Sequence, residues 1–336
     1  MQTLFSCIRL LMSISVIFTV FCLSFLSLWN CTTKGSKRMS AKTQLSEEEK
    51  QKLHEAKVEM EIGRNMAGRL LQYYGTVNDQ GLIEYVNQVG NYVASYSIDA
   101  ERRYMFEILD TKSSNAFACP GGYILVTMGA IRNARNEAEL AHILGHEAAH
   151  VAKKHMYDKL SNMSEEEMKK VGNEVNKNLK IPESVTVRQR PDTRSSETGA
   201  LMARYLSGSA AGLSVLAAAK AGMSLILEKG LGAELEYEAD GEGVSYAVSA
   251  GYDPTALIDY LCRLEKSKGR SCHGKINKKS KPKDILDKTH PPVAERVKNI
   301  QQRLASLNAK EIIGAKGVKR FQKHLKKIPA KVNESH

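Results

Sequence analysis

The sequence predicts an α+β fold that is mainly helical and carries a small β-sheet. Long stretches with apolar residues at helical spacing dominate the chain, whereas only two short apolar runs have the turn-rich borders of strands. The chain has 336 residues, of which 42% are hydrophobic and 26% charged. It is therefore long enough for a core, and its composition excludes a collagen-like or wholly disordered protein.

The N-terminal segment predicts export across a membrane. Residues 10–29 are twenty uncharged residues, which as a helix would reach about 30 Å and span a bilayer. Three hypotheses stay open for residues 1–31: a signal that ends in a lipidated Cys31, an uncleaved membrane anchor, and an ordinary cleaved signal. The residues just before Cys31 are Leu, Trp and Asn rather than the small residues usual there. Residues 32–45 are polar and predict a tether.

The first part of the body predicts two helices, two strands and a third helix. Their predicted bounds are 46–74 and 82–96 for the helices, and 104–109 and 122–128 for the strands. The third helix is predicted from about residue 137 to His155. Asn136 is its expected N-cap, with Glu139 as the capping-box partner.

The second part predicts an insertion, a run of small residues and three further helices. Residues 161–198 are polar without a sustained period, which predicts a mobile surface loop. Residues 200–227 are rich in Ala, Gly and Ser, and either buried helices or a membrane hairpin would fit; Lys220 within the run disfavours the hairpin. The remaining helices are predicted at 234–250, 255–266 and 291–307.

Positive charge is concentrated in two segments. The chain has 49 Lys and Arg against 37 Asp and Glu, a formal charge of +12. Residues 265–288 and 310–336 each carry a net +6, so the rest is close to neutral. This predicts a basic loop at 267–288 and a basic C-terminal tail at 309–336. These segments would either bind an anionic membrane or partner, or be solvated and flexible.

The spacing of the cysteines disfavours a thiolate zinc site. The body holds Cys119, Cys262 and Cys272, and no Cys-x-x-Cys spacing occurs. Cys262 and Cys272 can pair in an oxidising compartment or remain two free thiols, and the sequence leaves both alternatives open.

The strongest motif is His146-Glu147-Ala148-Ala149-His150, which matches H-E-x-x-H. Residues four apart lie on one helix face, so the two imidazoles can bind one zinc ion while Glu147 acts as general base. His142 is also four residues from His146, but only the 146–150 pair has a glutamate directly after its first histidine. We therefore expect His142 and His155 outside the ligand set, as packing or hydrogen-bonding residues.

The third ligand is expected from the acidic segment 236–240. Glu236 and Asp240 fall on one helix face, so one can bind the metal while the other accepts the free N–H of a ligating imidazole. Glu238 is expected to point elsewhere.

Four groups of short motifs follow one another along the chain. They are residues 61–64 with 74–75 and 85–87; 115–118 with 120–124; 137–151; and 236–243 with 251–254. In this order they make the chain resemble the zinc metallopeptidase family M48, the group that includes HtpX, the CAAX prenyl endopeptidases and the exported proteases BepA and LoiP. The resemblance covers most of residues 50–305 and is far more specific than H-E-x-x-H alone.

The resemblance implies a gluzincin-type zinc metallopeptidase domain over residues 46–308, with the small sheet beside the active-site helix. It implies one zinc ion, with His146, His150 and Glu236 as ligands, Glu147 as general base and Asp240 behind a ligating imidazole. Only one clear apolar segment is present and no helical-repeat domain follows the peptidase region. The closest architecture is therefore the exported single-anchor type, which implies a membrane-anchored protein of the bacterial periplasm.

The segment Gly121, Gly122, Tyr123 and Ile124 resembles the family's strand beside the active site. An exposed edge there would bind a substrate backbone as an added strand, largely independently of substrate sequence. The alternative is an ordinary core strand. Backbone capture would favour unfolded chains as substrates.

The segment 289–296, Thr-His-Pro-Pro-Val-Ala-Glu-Arg, resembles a family segment whose histidine can fill the fourth zinc position. The resemblance implies that His290 can make the enzyme latent, because a catalytic zinc must keep one position open. The mobile basic loop before it would let His290 move on and off the metal. The alternative is a histidine that merely caps the following helix.

Together these features predict an exported zinc endopeptidase that cleaves unfolded or misassembled envelope proteins. The alternative is a holdase-like protein that binds such chains in the same groove without cleaving them. The intact Glu147 disfavours that alternative, because binding needs no general base. Nucleic acid is not expected as a partner, since the sequence shows no nucleic-acid-binding motif.

Overall fold

A computed structural model describes residues 46–179, 210–273, 282, 284–308 and 312–326. The predicted signal or anchor, the tether, the second half of the 161–198 insertion, most of the basic loop and the end of the C-terminal tail lie outside these residues. The chain divides into Met1–Lys50 and Gln51–His336, and the site described below belongs to the second of these units.

The described residues form a mainly helical fold with one small sheet, as predicted, but the sheet has three strands rather than the two that the sequence predicted. The first half contains α1 (Glu47–Tyr74), α2 (Gln80–Ala94), β1 (Met105–Leu109), β2 (Ala116–Cys119), a 3₁₀ turn (Pro120–Gly122), β3 (Tyr123–Thr127), α3 (Met128–Asn133), α4 (Glu137–Ala152), α5 (His155–Ser161) and α6 (Glu165–Leu179). The second half contains α7 (Ala210–Ser224), a π-helical turn (Leu225–Lys229), α8 (Ala233–Ser249), α9 (Ala256–Ser267), α10 (Ile285–Thr289), α11 (Val293–Ser306) and α12 (Val318–Leu325).

The strand order of the sheet is β1-β3-β2. β3 pairs in parallel with β1, with Met105 opposite Tyr123, and antiparallel with β2, with Ala116 opposite Val126. The prediction that Gly121, Gly122, Tyr123 and Ile124 offer an open edge is therefore wrong. Tyr123 and Ile124 begin the central strand, and the two glycines belong to the turn before it. Among the described strands, β2 and β1 form the two edges of the sheet, and β2 is the edge strand that pairs antiparallel with β3.

The sheet separates two hydrophobic clusters. Ile108, Ile124 and Val126 face the cluster formed with α2, α4, α8, α9 and α11. Leu109 and Leu125 face the other cluster, formed with α1, α5 and α7. Successive residues alternate between the clusters because strand side chains point alternately to opposite faces. Both faces are covered, which explains why the strands read as continuous apolar runs.

Part of the predicted loop at 161–198 is helical. Helix α6 begins after Ser164, whose hydroxyl accepts from the Glu167 N–H, while the Glu167 carboxylate accepts from the Ser164 N–H. This reciprocal pair is a capping box, a signal present in the sequence that its polarity obscured. Met168 and Val171 pack against the second cluster. Helix α6 is thus an amphipathic element of the body.

The small residues after position 209 form a buried helix. Helix α7 packs Ala218, Ala219 and Ala221 into the second cluster, which agrees with the buried alternative. Over the ranges that the structure describes, we find no helix with both the length and the apolar content needed to cross a bilayer.

The predicted tail at 309–336 is folded onto the body where it is described. Phe321 of α12 is buried at 1% exposure, and the His324 ring stacks on Tyr85 at a centroid distance of 4.0 Å. Arg320 forms two hydrogen bonds with the buried carboxylate of Glu137. The positive charge of this segment misled the prediction, because the apolar side chains that anchor α12, Phe321 and Leu325, stand among lysines.

A disulfide decides the open question about the body's cysteines. Cys262 of α9 pairs with Cys272 in the loop that follows. The same loop contributes Lys268 and Arg270, which bind Asp287 of α10 at 2.6 and 2.7 Å. Cys119 is a buried free thiol.

Candidate metal centre

Helix α4 carries the H-E-x-x-H motif through the centre of the fold, with all its residues buried. As predicted, Asn136 caps it, accepting from the Glu139 N–H at 2.9 Å. The helix ends at Ala152 rather than at His155. Lys154 has a φ of 54°, which stops the helix, and α5 starts at His155. The break redirects the chain so that the His155 ring faces the motif.

Two glycines bring α4 and α8 together beside the motif. A Cβ on Gly243 would lie 2.6 Å from the backbone nitrogen of His146, and a Cβ on Gly145 would lie 2.9 Å from the Gly243 carbonyl oxygen. Any side chain at Gly243 would force the helices apart, so glycine is required for this crossing. The crossing places Glu236 and Asp240 of α8 opposite the histidines.

His146, His150 and Glu236 direct their ligand atoms towards one another. Nε2 of His146 lies 3.1 Å from Nε2 of His150. Glu236 Oε2 lies 3.4 Å from the first of these nitrogens, and Oε1 lies 3.7 Å from the second. Bond lengths of 2.0–2.1 Å to a tetrahedral zinc ion would separate ligand atoms by roughly 3.3 Å.

The electrostatics of Glu236 also fit a cation. Its Oε2 atom is buried and makes no well-aligned hydrogen bond among the described residues, although imidazole nitrogens of His146 and His290 lie 3.4 and 3.2 Å away. Burial would raise the pKa of Glu236, but the neighbouring histidines hold it well below its usual range, so the group is a carboxylate. A buried carboxylate oxygen and two imidazole nitrogens, close together, form a donor set that suits zinc.

Asp240 lies behind His146. Its Oδ1 atom is 3.0 Å from His146 Nδ1, and its two oxygens accept hydrogen bonds from Arg296 at 2.7 and 2.9 Å. Burial would raise the pKa of Asp240, but the Arg296 charge lowers it to about 2. The ionised carboxylate favours the tautomer with hydrogen on Nδ1 and leaves Nε2 for a metal. The geometry thus sets Glu236 beside the two Nε2 atoms and Asp240 behind the ring.

The contribution of Arg296 escaped the sequence analysis. It is 3% exposed and contributes the only guanidinium that the described residues bring to Asp240. The sequence signal for Arg296 was the Glu-Arg pair at the end of the 289–296 segment. A sequence alone does not show that this arginine binds Asp240 of α8.

His150 has a separate set of partners. Its Nδ1 atom lies 2.9 Å from Nδ1 of His155, whose Nε2 atom lies 3.2 Å from Glu238. Lys153 also binds Glu238, at 2.7 Å. His142 contacts the Asp253 carbonyl oxygen at 2.9 Å instead. Both His142 and His155 are therefore hydrogen-bonding residues, as expected, and His155 contacts one member of the three-residue donor set.

Glu147 is buried and lines two cavities that meet at the motif. Burial raises the pKa of Glu147 against the opposing charges of His146 and His150. A raised pKa makes a carboxylate a stronger proton acceptor, which suits a general base.

His290 lies beside Glu236 and faces the same carboxylate oxygen as His146. Its Nε2 atom is 3.2 Å from Glu236 Oε2, and its Nδ1 atom is 2.9 Å from the Thr289 hydroxyl. The ligand atoms of His146, Glu236 and His290 all lie within 4.8 Å of one another. The alternative that His290 merely caps the next helix is wrong, because Pro292 occupies the cap position of α11.

The outer edge of β2 borders the same site. The Thr127 N–H donates to the Asn115 carbonyl at 3.0 Å. Because hydrogen-bonded pairs alternate along antiparallel strands, the backbone groups of Ala116 and Ala118 point away from β3 towards the open edge. Both alanines line the cavity that contains Glu147. The edge suited to receive an extended chain is therefore β2.

Comparison with known proteins agrees with this geometry. Peptidase family M48 matches residues 83–304, two thirds of the chain. The chain belongs to peptidase family M48. This confirms the predicted family and, with it, the metallopeptidase class and the gluzincin-type fold. The matched M48 region lies within residues 46–308, the predicted extent of the peptidase domain.

Three bacterial relatives extend the comparison. A Vibrio cholerae serotype O1 protein is 27% identical over 227 residues, 68% of this chain and 40% of its own length. The beta-barrel assembly-enhancing protease of Escherichia coli strain K12 is 26% identical over 248 residues, which cover 73% of this chain and 43% of that protein. The Yersinia pestis protein of the same name is 27% identical over 230 residues, which cover 68% of this chain and 40% of that protein. This M48 chain therefore spans about two fifths of these relatives.

Proposed function

We propose that this chain is a zinc endopeptidase that uses His146, His150 and Glu236 as metal ligands. The observation that carries the proposal is the convergence of these three buried side chains within 3.1–3.7 Å, with Glu147 beside them. Bound zinc would lower the pKa of a water molecule and polarise the scissile carbonyl group.

The chain's own residues would perform the proton transfers. Glu147 accepts a proton from the attacking water and passes it to the leaving amine. Asp240, held by Arg296, keeps the His146 ring oriented with Nε2 towards the metal. The Ala118 backbone and the Ala116 carbonyl group would bind the substrate as an added strand, since the Ala116 N–H already donates to the Asn115 side chain. Such binding favours extended segments of unfolded chains.

The proposed substrates are unfolded or misassembled envelope proteins. Two relatives are named beta-barrel assembly-enhancing protease, which supports a role in envelope protein assembly. We further propose that the chain is exported to the bacterial periplasm and membrane-anchored through residues 1–31, with Cys31 as the lipidated residue. Cys31→Ala should abolish lipid labelling and leave the longer, unprocessed chain, whereas with an uncleaved anchor the parent and the variant would show the same length and no lipid label.

His290 is proposed as a removable fourth ligand. The distance of 3.2 Å between its Nε2 atom and Glu236 Oε2 supports this proposal, because an imidazole so close to a ligand oxygen would compete with water for the metal. His290→Ala should therefore cleave an unfolded protein faster than the parent at equal zinc content. An unchanged or slower rate would remove latency from the proposal.

The experiment that tests the main proposal compares the parent with Glu147→Gln on an unfolded protein. The parent should produce peptides, and a chelator should stop it. Glu147→Gln should bind zinc at the parental ratio and lose at least about 10²-fold in rate, because an amide cannot accept the proton. Chelator-insensitive binding without any cleavage by the parent would favour the holdase alternative instead.

A further inference from the structure

We propose that helix α12 and the segment before it bind the surface of an anionic phospholipid bilayer. The inference goes beyond the proposed peptidase activity, because it assigns a binding role to a part of the chain outside the metal centre. It also selects between the alternatives that the sequence left open for the described part of the basic tail. We call this surface, residues 312–326, the α12 face.

The lysines of α12 form one row on the outer side of the helix. Phe321 is buried against the body, and at about 100° per residue Lys319, Lys323 and Lys326 lie within about 40° of the direction opposite to it. All three lysines are exposed. The apolar side of this amphipathic helix is thus already buried in the protein, and its basic side is left to meet a partner.

The body does not neutralise the charge of the α12 face. Residues 312–326 contain five basic and no acidic residues. Two of these cations, Lys316 and Arg320, pair with Asp253 and Glu137. For the three lysines of the outer row, the described residues offer no acidic partner. Such a row of cations on a folded surface favours a partner with many negative charges.

Exposed apolar side chains beside the lysines favour a bilayer over an acidic protein. Ile313 is 100% exposed, and Ile312 and Val318 are exposed as well. A lipid surface combines negatively charged headgroups with an apolar layer directly beneath them, so it can accept both kinds of side chain. An acidic protein surface would pair with the lysines but would leave the apolar side chains in water.

Two exposed tyrosines extend the same surface. Tyr92 and Tyr96 of α2 are exposed, and their ring centroids lie 5.7 Å apart. The Tyr92 ring lies 6.5 Å from the ring of Tyr252, whose backbone pairs with Ala315 of the α12 face. Tyrosine is enriched at membrane interfaces because its ring is apolar while its hydroxyl group stays hydrated. We therefore expect these rings to contact the headgroups next to the α12 face.

The α12 face is separate from the reacting site. None of the described residues that line the two cavities at the motif belongs to residues 312–326. Glu137, which binds Arg320, lies in the first turn of α4, and His146 follows about 14 Å further along that helix. Contact through α12 would therefore hold the peptidase body at the bilayer without using a residue of either cavity.

The test places a fluorescent reporter at the α12 face. The full chain with Trp29→Phe and Ile313→Trp carries a single tryptophan, because Trp29 is the only one in the sequence. It is reconstituted into vesicles of phosphatidylcholine alone or of an equal mixture with phosphatidylglycerol, each with brominated acyl chains as quenchers. Tryptophan emission should be quenched at least about threefold more strongly in the mixed vesicles, and high salt should remove the difference, because it screens the charges.

Matched charge variants locate the effect. In the reporter chain, Lys319→Gln, Lys323→Gln and Lys326→Gln together should reduce quenching in the mixed vesicles to the phosphatidylcholine level, because each lysine near an anionic surface is worth roughly fivefold in binding. The control replaces three exposed lysines of α1, α6 and α11 in the same way and should keep the quenching of the reporter chain. Its substitutions are Lys57→Gln, Lys170→Gln and Lys298→Gln. Circular dichroism checks the fold of both triple variants.

Each outcome decides the inference. Equal quenching in the two kinds of vesicle, or equal losses in the two triple variants, would overturn it. An emission shift with polyglutamate but no quenching by the mixed vesicles would assign the α12 face to an acidic protein and would also overturn it. The comparison of the two lipid compositions stays decisive if a triple variant folds poorly. None of these readouts depends on zinc or on peptide cleavage, so the proposed function is tested separately.

Discussion

Asp240 shows how one buried carboxylate controls the chemistry of a neighbouring ring. It lies 0% exposed between His146 and Arg296, and its negative charge depends on that arginine. A neutral group at this position would weaken the preference of His146 for the tautomer with hydrogen on Nδ1. The metal affinity of the site is therefore expected to depend on a residue that would not contact the metal.

Asp240→Asn should lower zinc affinity by about 10- to 100-fold, because it removes the charge that orients His146. Competition with a coloured chelator would measure the affinity, and circular dichroism would check the fold. Glu234→Ala, an exposed carboxylate in the first turn of the same helix, is the control and should bind zinc like the parent. Parental affinity in Asp240→Asn would show that Asp240 does not orient the ligand.

At the scale of elements, β2 combines a structural and a binding role. One side of the strand pairs with β3, while the other side presents the backbone of Ala118 to the cavity beside Glu147. Edge strands tolerate proline where the lost N–H does not pair within the sheet. A proline on the open side of β2 can therefore remove a backbone N–H without breaking the pairing with β3.

Ala118→Pro should lower kcat/KM for an unfolded protein by about tenfold or more, because it removes an N–H that would pair with the substrate backbone. Zinc content should stay at the parental level. Ala118→Ser keeps the N–H and a small side chain, so it should retain activity. Equal rates for the proline and serine variants would exclude backbone capture at this position.

The disulfide is a second element-scale feature, since it closes a short loop after α9. Cys262 and Cys272 are ten positions apart. Replacing both by serine should lower the free energy of unfolding by about 3 kcal/mol, because the unfolded chain gains loop entropy. Urea denaturation with and without a reductant would measure it: reduction should destabilise the parent and leave the double variant unchanged. A parent that is insensitive to reductant would contradict the prediction.

At the scale of the whole molecule, Glu137 ties three distant parts of the chain together. It accepts hydrogen bonds from Tyr85 of α2 at 2.7 Å, from Tyr252 at 2.9 Å, and from Arg320 of α12. Burial would raise the pKa of Glu137, but these hydrogen bonds and the Arg320 charge lower it overall. The C-terminal segment is thus bound to the first turn of the helix that carries the metal motif.

Glu137→Gln should reduce the free energy of unfolding by about 2 kcal/mol at neutral pH, because it removes charge-assisted hydrogen bonds. The folded-state pKa lies below the ordinary value of 4.5, so this stabilisation is present above about pH 4.5 and is lost as the pH falls through the lower folded value. Urea denaturation should show the parent and the variant converging below that pH. Glu84→Gln, an exposed carboxylate of α2, should differ little from the parent at any pH.

The sequence by itself determined the local features of this protein. The H-E-x-x-H spacing places His146 and His150 on one helix face, and the same periodicity pairs Glu236 with Asp240. Asn136 marks the start of α4, because its side chain accepts a hydrogen bond from the Glu139 N–H. These features depend on residues within about one helical turn of one another, and the family motifs rest on the same local patterns.

Only the tertiary structure decided the relations between distant segments. The sequence did not show that β3 is central, that Arg296 reaches Asp240, or that Phe321 anchors the basic tail. Strand order, ring orientation and docking each depend on which surfaces meet across long loops, and single-segment periodicity carries no information about those contacts. The spacing of Glu236 and Asp240 likewise left their positions open, although the family resemblance implied them. The close crossing of α4 and α8 at Gly145 and Gly243 sets Glu236 beside the two Nε2 atoms and Asp240 behind the His146 ring.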